Sequence, residues 1–450
     1  MKFGGTSVQD PEAFARVARI VGDQKDVAPV VVTSAMAKVT DALLAAFDTA
    51  KKGDLEAALS SLQPHFERHL TVSRELTGPT QQEAFSTELE YAKRELTELF
   101  VRVSRRSLPL AMLKDAVVSY GEQLSSRLLT EVFKAKDLNA RHTDSRRLII
   151  TDDEYGAATP IWDETRALIE LELGPELEAG EIPVMGGFLA ASRSGETTVL
   201  GRGGSDYSAA LVGAALRSRE IQIWTDVTGV LTTDPRICPD ARTLPLLSYE
   251  EAAELAYFGA KVLHPKTIQP AVDHAIPIRV CNSHDPGEIG TMIRATSDVT
   301  EKRIKSIAYK KNITILRITS ARMLGSYGFM SALFQVFERY RTVIDVISTS
   351  EVSLALTVDS THALEQVVKD LERLGKVDVE PNHAVVCIVG EGLRASPGLA
   401  SKVFSTIEDV NISLISHGAS SVNLTFVVKE EHLAGVVKRL HHAFFTGDRK

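Results

Sequence analysis

Over the first two thirds of the chain, short apolar or β-branched runs alternate with stretches of helical spacing. VAPVVVTSAM at 27–36 predicts a strand that ends on small residues. Residues 41–114, with segments such as ELEYAKRELTELF, repeat their apolar positions with a helical period and predict a series of helices. IPVMGGFLA at 182–190 predicts a buried strand ending on glycines, and SDYSAALVGAAL at 205–216 a helix. IQIWTDVTGV at 221–230 reads as strand then turn, and IPIRVCN at 276–282 as another strand. Such strands, apolar throughout and separated by helices, predict an α/β fold with a mainly parallel central sheet sandwiched by helices. Ligands of such sheets gather at the carboxyl ends of strands, which here carry TSAM, MGGF and TDVTG.

The pattern changes near residue 297, where SDVTEKRIK is polar and charged and reads as a linker. Two similar halves follow, each reading β-α-β-β-α. KVDVEP adds a last strand to the first half, and IKSIAYK at 304–310 is expected to supply the last strand of the second. The first module would then be an insertion in the second. The expected domains are a catalytic domain at 1–296, a linker with strand at 297–311, and two βαββαβ ferredoxin-like modules at 312–382 and 383–450.

Among 450 residues the net charge is −8, which disfavours nucleic acid or an anionic membrane as partner. The three cysteines, Cys238, Cys281 and Cys387, are far apart and suggest neither a disulfide framework nor a metal cluster, which fits a reducing cytoplasm. The opening MKFGGTSVQD has no apolar core, so no signal peptide is expected, and no run is long enough to span a bilayer.

Five segments carry candidate chemistry, each with a plain alternative. KFGGTS sets Lys2 before Gly4, Gly5 and Thr6, a way to bring a point charge and backbone N–H groups to a phosphate; it is also what a tight turn needs. GRGGSD at 201–206 stands just before a helix, so the amides of Gly203, Gly204 and Ser205 can face an anion. Asp206 would repel that anion unless Mg²⁺ or a lysine intervened; the alternative is ordinary helix capping. WTDVTGVLTTDPR follows a strand and offers hydroxyls and backbone to a nucleotide, or is a loop built on Asx turns. FGAKVLHP offers Lys261, and SYGEQLSSRLL puts Glu122 near a helix start, where capping is again possible.

Taken in order, KFGGTSV, TSAMAKVTD, SYGEQLSSRLL, GGF, TTVLGRGGSDYSAAL, WTDVTGVLTTDPR and AAELAYFGAKVLHP resemble the aspartate kinases of the amino-acid-kinase family, and the two C-terminal halves resemble that family's paired ACT domains. The resemblance implies transfer of the ATP γ-phosphoryl to the β-carboxylate of L-aspartate, giving 4-phospho-L-aspartate at the head of lysine, threonine and methionine synthesis. It implies Lys2 and Asp206 as the catalytic pair, with Asp206 holding Lys2 or helping to order the Mg²⁺ that comes with ATP as co-substrate. Thr40, Glu122, Phe188, Arg202 and Ser205 would hold aspartate, with Arg202 on its α-carboxylate and Glu122 on its ammonium. Gly4, Gly5, Thr6, Gly203, Gly204, Thr225, Asp226, Leu231, Arg236, Lys261 and Val262 would line the nucleotide. Two departures stand out. Relatives carry a hydrophobic strand ahead of the KFGG lysine, so the first strand is expected to be missing or incomplete, and Leu231 stands where relatives often have tyrosine. Rival readings are another carboxylate kinase of the same fold and a non-catalytic amino-acid-binding regulator.

MLGSYGFMSALF at 323–334 and VIDVISTSEVSLAL at 343–356 resemble the lysine-sensitive branch of the family. L-lysine is therefore the expected inhibitor. Asp345 and Glu351 offer charge to its ammonium groups, and Ser326, at a helix start beside Gly325, offers an amide to its carboxylate. Met323, Phe329, Met330 and Ile344 would flank its stem, and Ser350 adds a hydroxyl. Pairing of ACT modules implies a homodimer or tetramer.

Overall fold

The apolar runs at 31–33, 182–186, 221–225 and 278–282 form the middle of an eight-stranded sheet. Its spatial order is Ala140–His142, Ile182–Gly186, Val31–Thr33, Lys2–Phe3, Ile221–Thr225, Ile278–Asn282, Thr291–Arg294 and Leu246–Ser248. The first six strands are mutually parallel, and Thr291–Arg294 turns back antiparallel to Ile278–Asn282. The chain is described as a computed structural model over residues 1–259, 265–296, 304–325, 327–359 and 362–446.

Local signals set the helices that cover the sheet. Asp10 caps Pro11–Gly22 by accepting from the Ala13 amide at 2.8 Å, with proline at the first helical position. Asp54 does the same for Leu55–Leu76, which pairs with the long helix Pro79–Arg105. Helices Tyr120–Lys134 and Gly204–Ala215 pack on the sheet. Phe3, Phe14, Phe85, Phe100 and Phe133 fill the core they enclose. A small sheet of Ile150–Thr151, Leu189–Ser192 and Thr197–Val199 was not legible in the sequence, its strands being too short for a period to show.

The strand expected to be missing or incomplete is present as two residues. Lys2 and Phe3 pair with Val32 and Thr33 on one side and with Ile223 and Trp224 on the other. Beyond them the Met1 ammonium donates to the Val30 carbonyl at 2.7 Å, and burial pushes it down to about 5. A cavity of about 570 Å³ lies there, lined by Met1, Val30, Val32, Leu216 and Ile221 among others. An extension of a few β-branched residues before Met1 removes the buried amine and gives the cavity apolar side chains. A melting temperature higher by a few degrees is the expected result, and calorimetry that finds no rise would show that the sheet gains nothing from a longer strand.

These elements, with Pro245–Tyr249 and the described residues of 265–295, form one compact unit. A second unit takes in Leu231–Leu244, 250–259 and 304–446. The second unit therefore recruits pieces from inside the 1–296 segment. The reason is a set of bonds to the strand Ile304–Thr319: the Ile307 amide donates to Thr232 O at 2.8 Å and Thr233 Oγ1 donates to Ile307 O at 2.9 Å. Ile237 and Cys238 also join its core.

The second unit is built on an antiparallel six-stranded sheet, ordered Ile347–Thr349, Ser353–Val358, Ile304–Thr319, Lys376–Gly390, Asn423–Lys429 and Leu414–His417. Two long strands serve both modules. Residues 304–310 pair with 385–390, and residues 313–319 with 376–383. The register shifts between Lys310 and Ile315, close to Asn312 at φ 57° and opposite Asn382 at φ 61°. Asparagine tolerates this left-handed backbone better than other non-glycine residues, so each long strand bends where it passes from one module to the next. Helices Phe329–Arg339 and Leu364–Leu371 belong to the first module, Leu399–Thr406 and Leu433–His441 to the second. No described helix is long and apolar enough to cross a membrane.

Candidate active site

Strands Lys2–Phe3, Val31–Thr33 and Ile182–Gly186 are parallel neighbours, so their carboxyl ends open on the same edge of the sheet. A cavity of about 290 Å³ lies there, lined by Lys2, Ser34, Thr40, Glu122, Phe188, Gly201, Gly203, Gly204, Ser205 and Asp206. Seven of the candidate residues from the sequence thus share one hollow with Lys2, namely Thr40, Glu122, Phe188, Gly203, Gly204, Ser205 and Asp206.

Its centre is an ion pair. Lys2 Nζ lies 2.7 Å from Asp206 Oδ1, with the two side chains only 12% and 15% exposed. Lys2 sits on an interior strand and Asp206 in the first turn of Gly204–Ala215, so neither is a surface charge that drifted into contact. Gly203 takes φ 71° ahead of that helix, a conformation strained for any side chain. Gly204 is needed for another reason: a Cβ there would stand 2.6 Å from Phe188 Cδ2. Phe188 itself has φ 70°, and its amide donates to Ser208 Oγ at 2.9 Å. A non-glycine residue in that region costs on the order of 1–3 kcal/mol, which the surrounding contacts must offset.

Glu122 stands in the first turn of Tyr120–Lys134 and is 5% exposed. It accepts from the Ala35 amide, yet its Oε2 has no hydrogen-bond partner among the described residues. Burial pushes its carboxyl up to about 8, and the backbone bonds only partly oppose that. A buried carboxylate oxygen without a donor, in a cavity, is a place for a cation to arrive. Ser34 Oγ donates to Ser205 Oγ at 3.0 Å across the hollow. Arg202 is exposed, with no side-chain partner among the described residues.

The other candidates divide. Gly5 and Thr6 open the short helical turn Gly5–Val8, and the Gly4 amide is held by Trp224 O at 3.2 Å. Thr225 ends its strand with its hydroxyl on Asp226 at 3.1 Å. Leu231 and Arg236 fall in the second unit, where the Arg236 guanidinium lies on Asp234 at 2.6 Å and holds that carboxyl well below the usual range. Lys261, Val262 and Ser326 lie outside the described residues. Ser34 and Gly201 line the hollow without having been singled out. For Ser34 the signal was its place in TSAM at a strand's carboxyl end.

In the second unit Met323, Phe329, Met330 and Ile344 are partly buried against the core of the first module. Ser350 Oγ contacts Ser353 Oγ at 2.6 Å, and Glu351 is exposed. Asp345 is not open: its side chain is 0% exposed, and Tyr257 and Lys310 hold its Oδ1.

Residues 1–282 match the amino acid kinase family, and residues 386–444 match the ACT domain. Lysine-sensitive aspartokinase 3 of Escherichia coli is 36% identical over 452 residues, covering 99% of this chain and 98% of that protein. Aspartokinase 3, chloroplastic, of Arabidopsis thaliana is 38% identical over 466 residues, covering 100% of this chain and 82% of that one. The crystal structure of E. coli aspartokinase III with aspartate and ADP, called the R-state, aligns with a TM-score of 0.85 at 36% identity over 99% of both chains. The same enzyme with lysine and aspartate, called the T-state, aligns at 0.83 over 99% and 98% of the two chains.

Proposed function

We propose a role for each residue of the hollow from one premise: the chain belongs to the amino-acid-kinase family and is an aspartate kinase, a phosphotransferase with a carboxylate as acceptor. The substrates are ATP and L-aspartate, and the product is 4-phospho-L-aspartate. The observation that carries the assignment is the buried Lys2–Asp206 pair facing the unpartnered Glu122 oxygen across one cavity.

The β-carboxylate of aspartate has a solution pKa near 3.9 and is already ionised at neutral pH, so no general base is required. One of its oxygens forms the new bond to the γ-phosphorus as the bond to the β,γ-bridging oxygen breaks and ADP leaves. The obstacle is repulsion between an anion and a polyanion, which fixed positive charge and alignment overcome. Lys2 neutralises charge on the transferring phosphoryl, and the backbone around Gly4, Gly5, Thr6, Gly203 and Gly204 lines the phosphates. Asp206 holds the Lys2 ammonium in place. Thr225 and Asp226 stand at the end of a neighbouring strand for the nucleotide. Arg202 makes a forked contact with the α-carboxylate. Glu122 takes the α-ammonium on its free oxygen, and Thr40, Phe188 and Ser205 close the pocket.

One protein carboxylate beside phosphates suits Mg²⁺, which keeps waters and phosphate oxygens as most of its ligands, and Asp206 is the residue that fits. No cluster of three or more acidic, histidine or cysteine side chains able to hold a metal exists among the described residues. When bound with ATP, Mg²⁺ would neutralise phosphate charge.

L-Lysine is the inhibitor in this reading. Glu351 and Asp345 take its ammonium groups, while Met323, Phe329, Met330 and Ile344 flank its stem and Ser350 adds a hydrogen bond. The helix Phe329–Arg339, entered through Gly328 at φ 80°, offers amides to its carboxylate. Exposed Leu324, Tyr327, Phe334, Val343 and Val352 support a homodimer or tetramer through this module. Three buried free thiols are consistent with a cytoplasmic setting.

Trapping the acyl phosphate with hydroxylamine tests the reading. Hydroxamate should form from ATP with aspartate but not with glutamate or acetylglutamate, and L-lysine should suppress it. Arg202→Ala should raise the KM for aspartate roughly tenfold or more, one lost charged contact being worth about 1.5–3 kcal/mol, with little change in the KM for ATP. Equal damage to both substrates removes Arg202 from the aspartate site.

A further inference from the structure

Asp345 carries a contradiction. It is one of the two carboxylates assigned above to the ammonium groups of lysine, yet its side chain is fully shielded. Its Oδ1 accepts from Tyr257 Oη at 2.6 Å and from Lys310 Nζ at 2.9 Å, while its Oδ2 is buried with no partner among the described residues. The Lys310 ammonium also lies 2.8 Å from Asp359 Oδ2 and 5.1 Å from the centre of the Tyr257 ring.

We propose that Lys310 is an internal stand-in for the effector, its ammonium occupying on Asp345 the place that the side-chain ammonium of L-lysine takes during inhibition. The inference rests on the reading of L-lysine as inhibitor given above.

Three features make the exchange feasible. The outgoing and incoming groups are chemically alike, each a primary ammonium on a four-carbon stem, so the carboxylate loses one partner and gains its equivalent. Lys310 is not stranded by the exchange, because Asp359 is 37% exposed and retains it. The occupied form is also not fully satisfied among the described residues, where Oδ2 lacks a donor, and a buried polar atom without one costs free energy that a repositioned carboxylate recovers.

Selectivity follows from the same chemistry. An effector without a side-chain ammonium, such as threonine, cannot replace Lys310.

The consequence reaches Tyr257. It is the last residue of the helix Tyr249–Tyr257, which continues directly from the strand Leu246–Ser248 of the eight-stranded sheet. Moving Asp345 to an effector withdraws the acceptor of the Tyr257 hydroxyl and frees the end of that helix. The chain runs on from there through Gly259, whose φ of 111° and close approach to Tyr309 O tolerate no side chain, towards Lys261. A ligand moves an equilibrium only by its differential affinity, and here the difference is the set of bonds that Asp345 makes in its two arrangements.

Variants with opposite expected signs provide the test, read as the L-lysine concentration giving half-inhibition of the full-length protein and as L-lysine affinity by calorimetry. Lys310→Met removes the competitor and should lower the inhibitory concentration roughly fivefold or more, within the usual range of coupling between sites. Tyr257→Phe, a milder change, should shift it the same way. Asp359→Asn deprives Lys310 of its second partner, holds it more firmly on Asp345 and should raise the concentration. Lys310→Met and Asp359→Asn should keep their uninhibited turnover, whereas Tyr257→Phe, which lacks the hydroxyl that Asp345 holds, should lose part of it. A merely structural ion cluster would weaken lysine binding in every variant, and that pattern overturns the proposal. A lysine-sensitive parent whose variants all keep its inhibitory concentration also refutes it while leaving the effector reading intact. A parent that neither binds nor responds to L-lysine refutes the effector reading, and the proposal falls with it.

Discussion

Lys2→Ala should lower turnover by roughly 10²-fold or more, since removing one preorganised charge-stabilising group from an active site costs about that much. The expected loss lies in kcat rather than in KM for aspartate, because Lys2 is assigned to charge that grows on the phosphoryl group during transfer. The geometry makes the effect hard to compensate. The side chain is 12% exposed and its ammonium is held at 2.7 Å by Asp206, so no solvent cation takes its place without stripping its own water. The reciprocal variant sharpens the reading. Asp206→Asn keeps the helix and removes the charge that orients Lys2, so it should also lose turnover while leaving the fold in place. Steady-state kinetics on the two variants decides the matter, and an alanine variant with near-normal kcat ends the role assigned to Lys2.

The second large effect is expected at Glu122, and it has opposite signs in stability and function. The Glu122 carboxyl lies near pH 8 in the substrate-free protein, against 4.5 for an unburied glutamate. Between those two values the unfolded chain is ionised while the folded one holds the proton. The folded state then binds more protons, so this group's contribution to stability falls as pH rises from about 4.5 to about 8 and stays at its lowest above that. Glu122→Gln removes the penalty. The variant should melt close to the parent near pH 4.5 and progressively above it up to pH 8.5, where the difference amounts to a few kcal/mol at about 1.36 kcal/mol per pH unit. Binding reverses the sign: the ammonium of aspartate holds Glu122 ionised, so the parent releases a proton when aspartate enters at neutral pH. The variant loses that partner, and its KM for aspartate should rise roughly tenfold or more, the cost of one charged hydrogen bond being about 1.5–3 kcal/mol. Melting curves at the two pH values and aspartate kinetics give both answers. A melting difference that does not change with pH, or an unaltered KM, would each count against the assignment.

The sequence made the parallel strands and their order of function legible because buried strands lack polar positions and end on glycines and hydroxyl residues, as at TSAM and MGGF. The Lys2–Asp206 pair was legible only as an alternative, since 204 positions separate the partners and nothing local says which cation meets Asp206. Two features had no signal. The small sheet at 150–199 is built from strands of two to four residues, too short for a period. Asp115, which accepts from the Gly156 and Val199 amides at 2.8 and 3.1 Å, looks in sequence like an exposed helix charge. Asp345 was legible as a carboxylate near a strand, but its occupation by Lys310 depends on residues 35 positions away. The recruitment of Leu231–Leu244 into the second unit was hidden for a similar reason, since its cause is pairing with a strand that begins at residue 304.

The two strands shared between the C-terminal modules bear on the order in which this half of the protein is made. Residues 304–310 leave a ribosome about 75 residues before 385–390, the partners they need. At roughly 5–20 residues per second that is an interval of seconds, during which one edge of the earlier strand has no neighbour. The first module lies wholly between the two segments and is complete just before 385–390 emerge, so that its closure holds the ends of the long strands near each other and shortens the loop that the second module must close. The bends at Asn312 and Asn382 then mark a division in time as well as in space: one module is assembled as a local hairpin of elements, and the other waits for it.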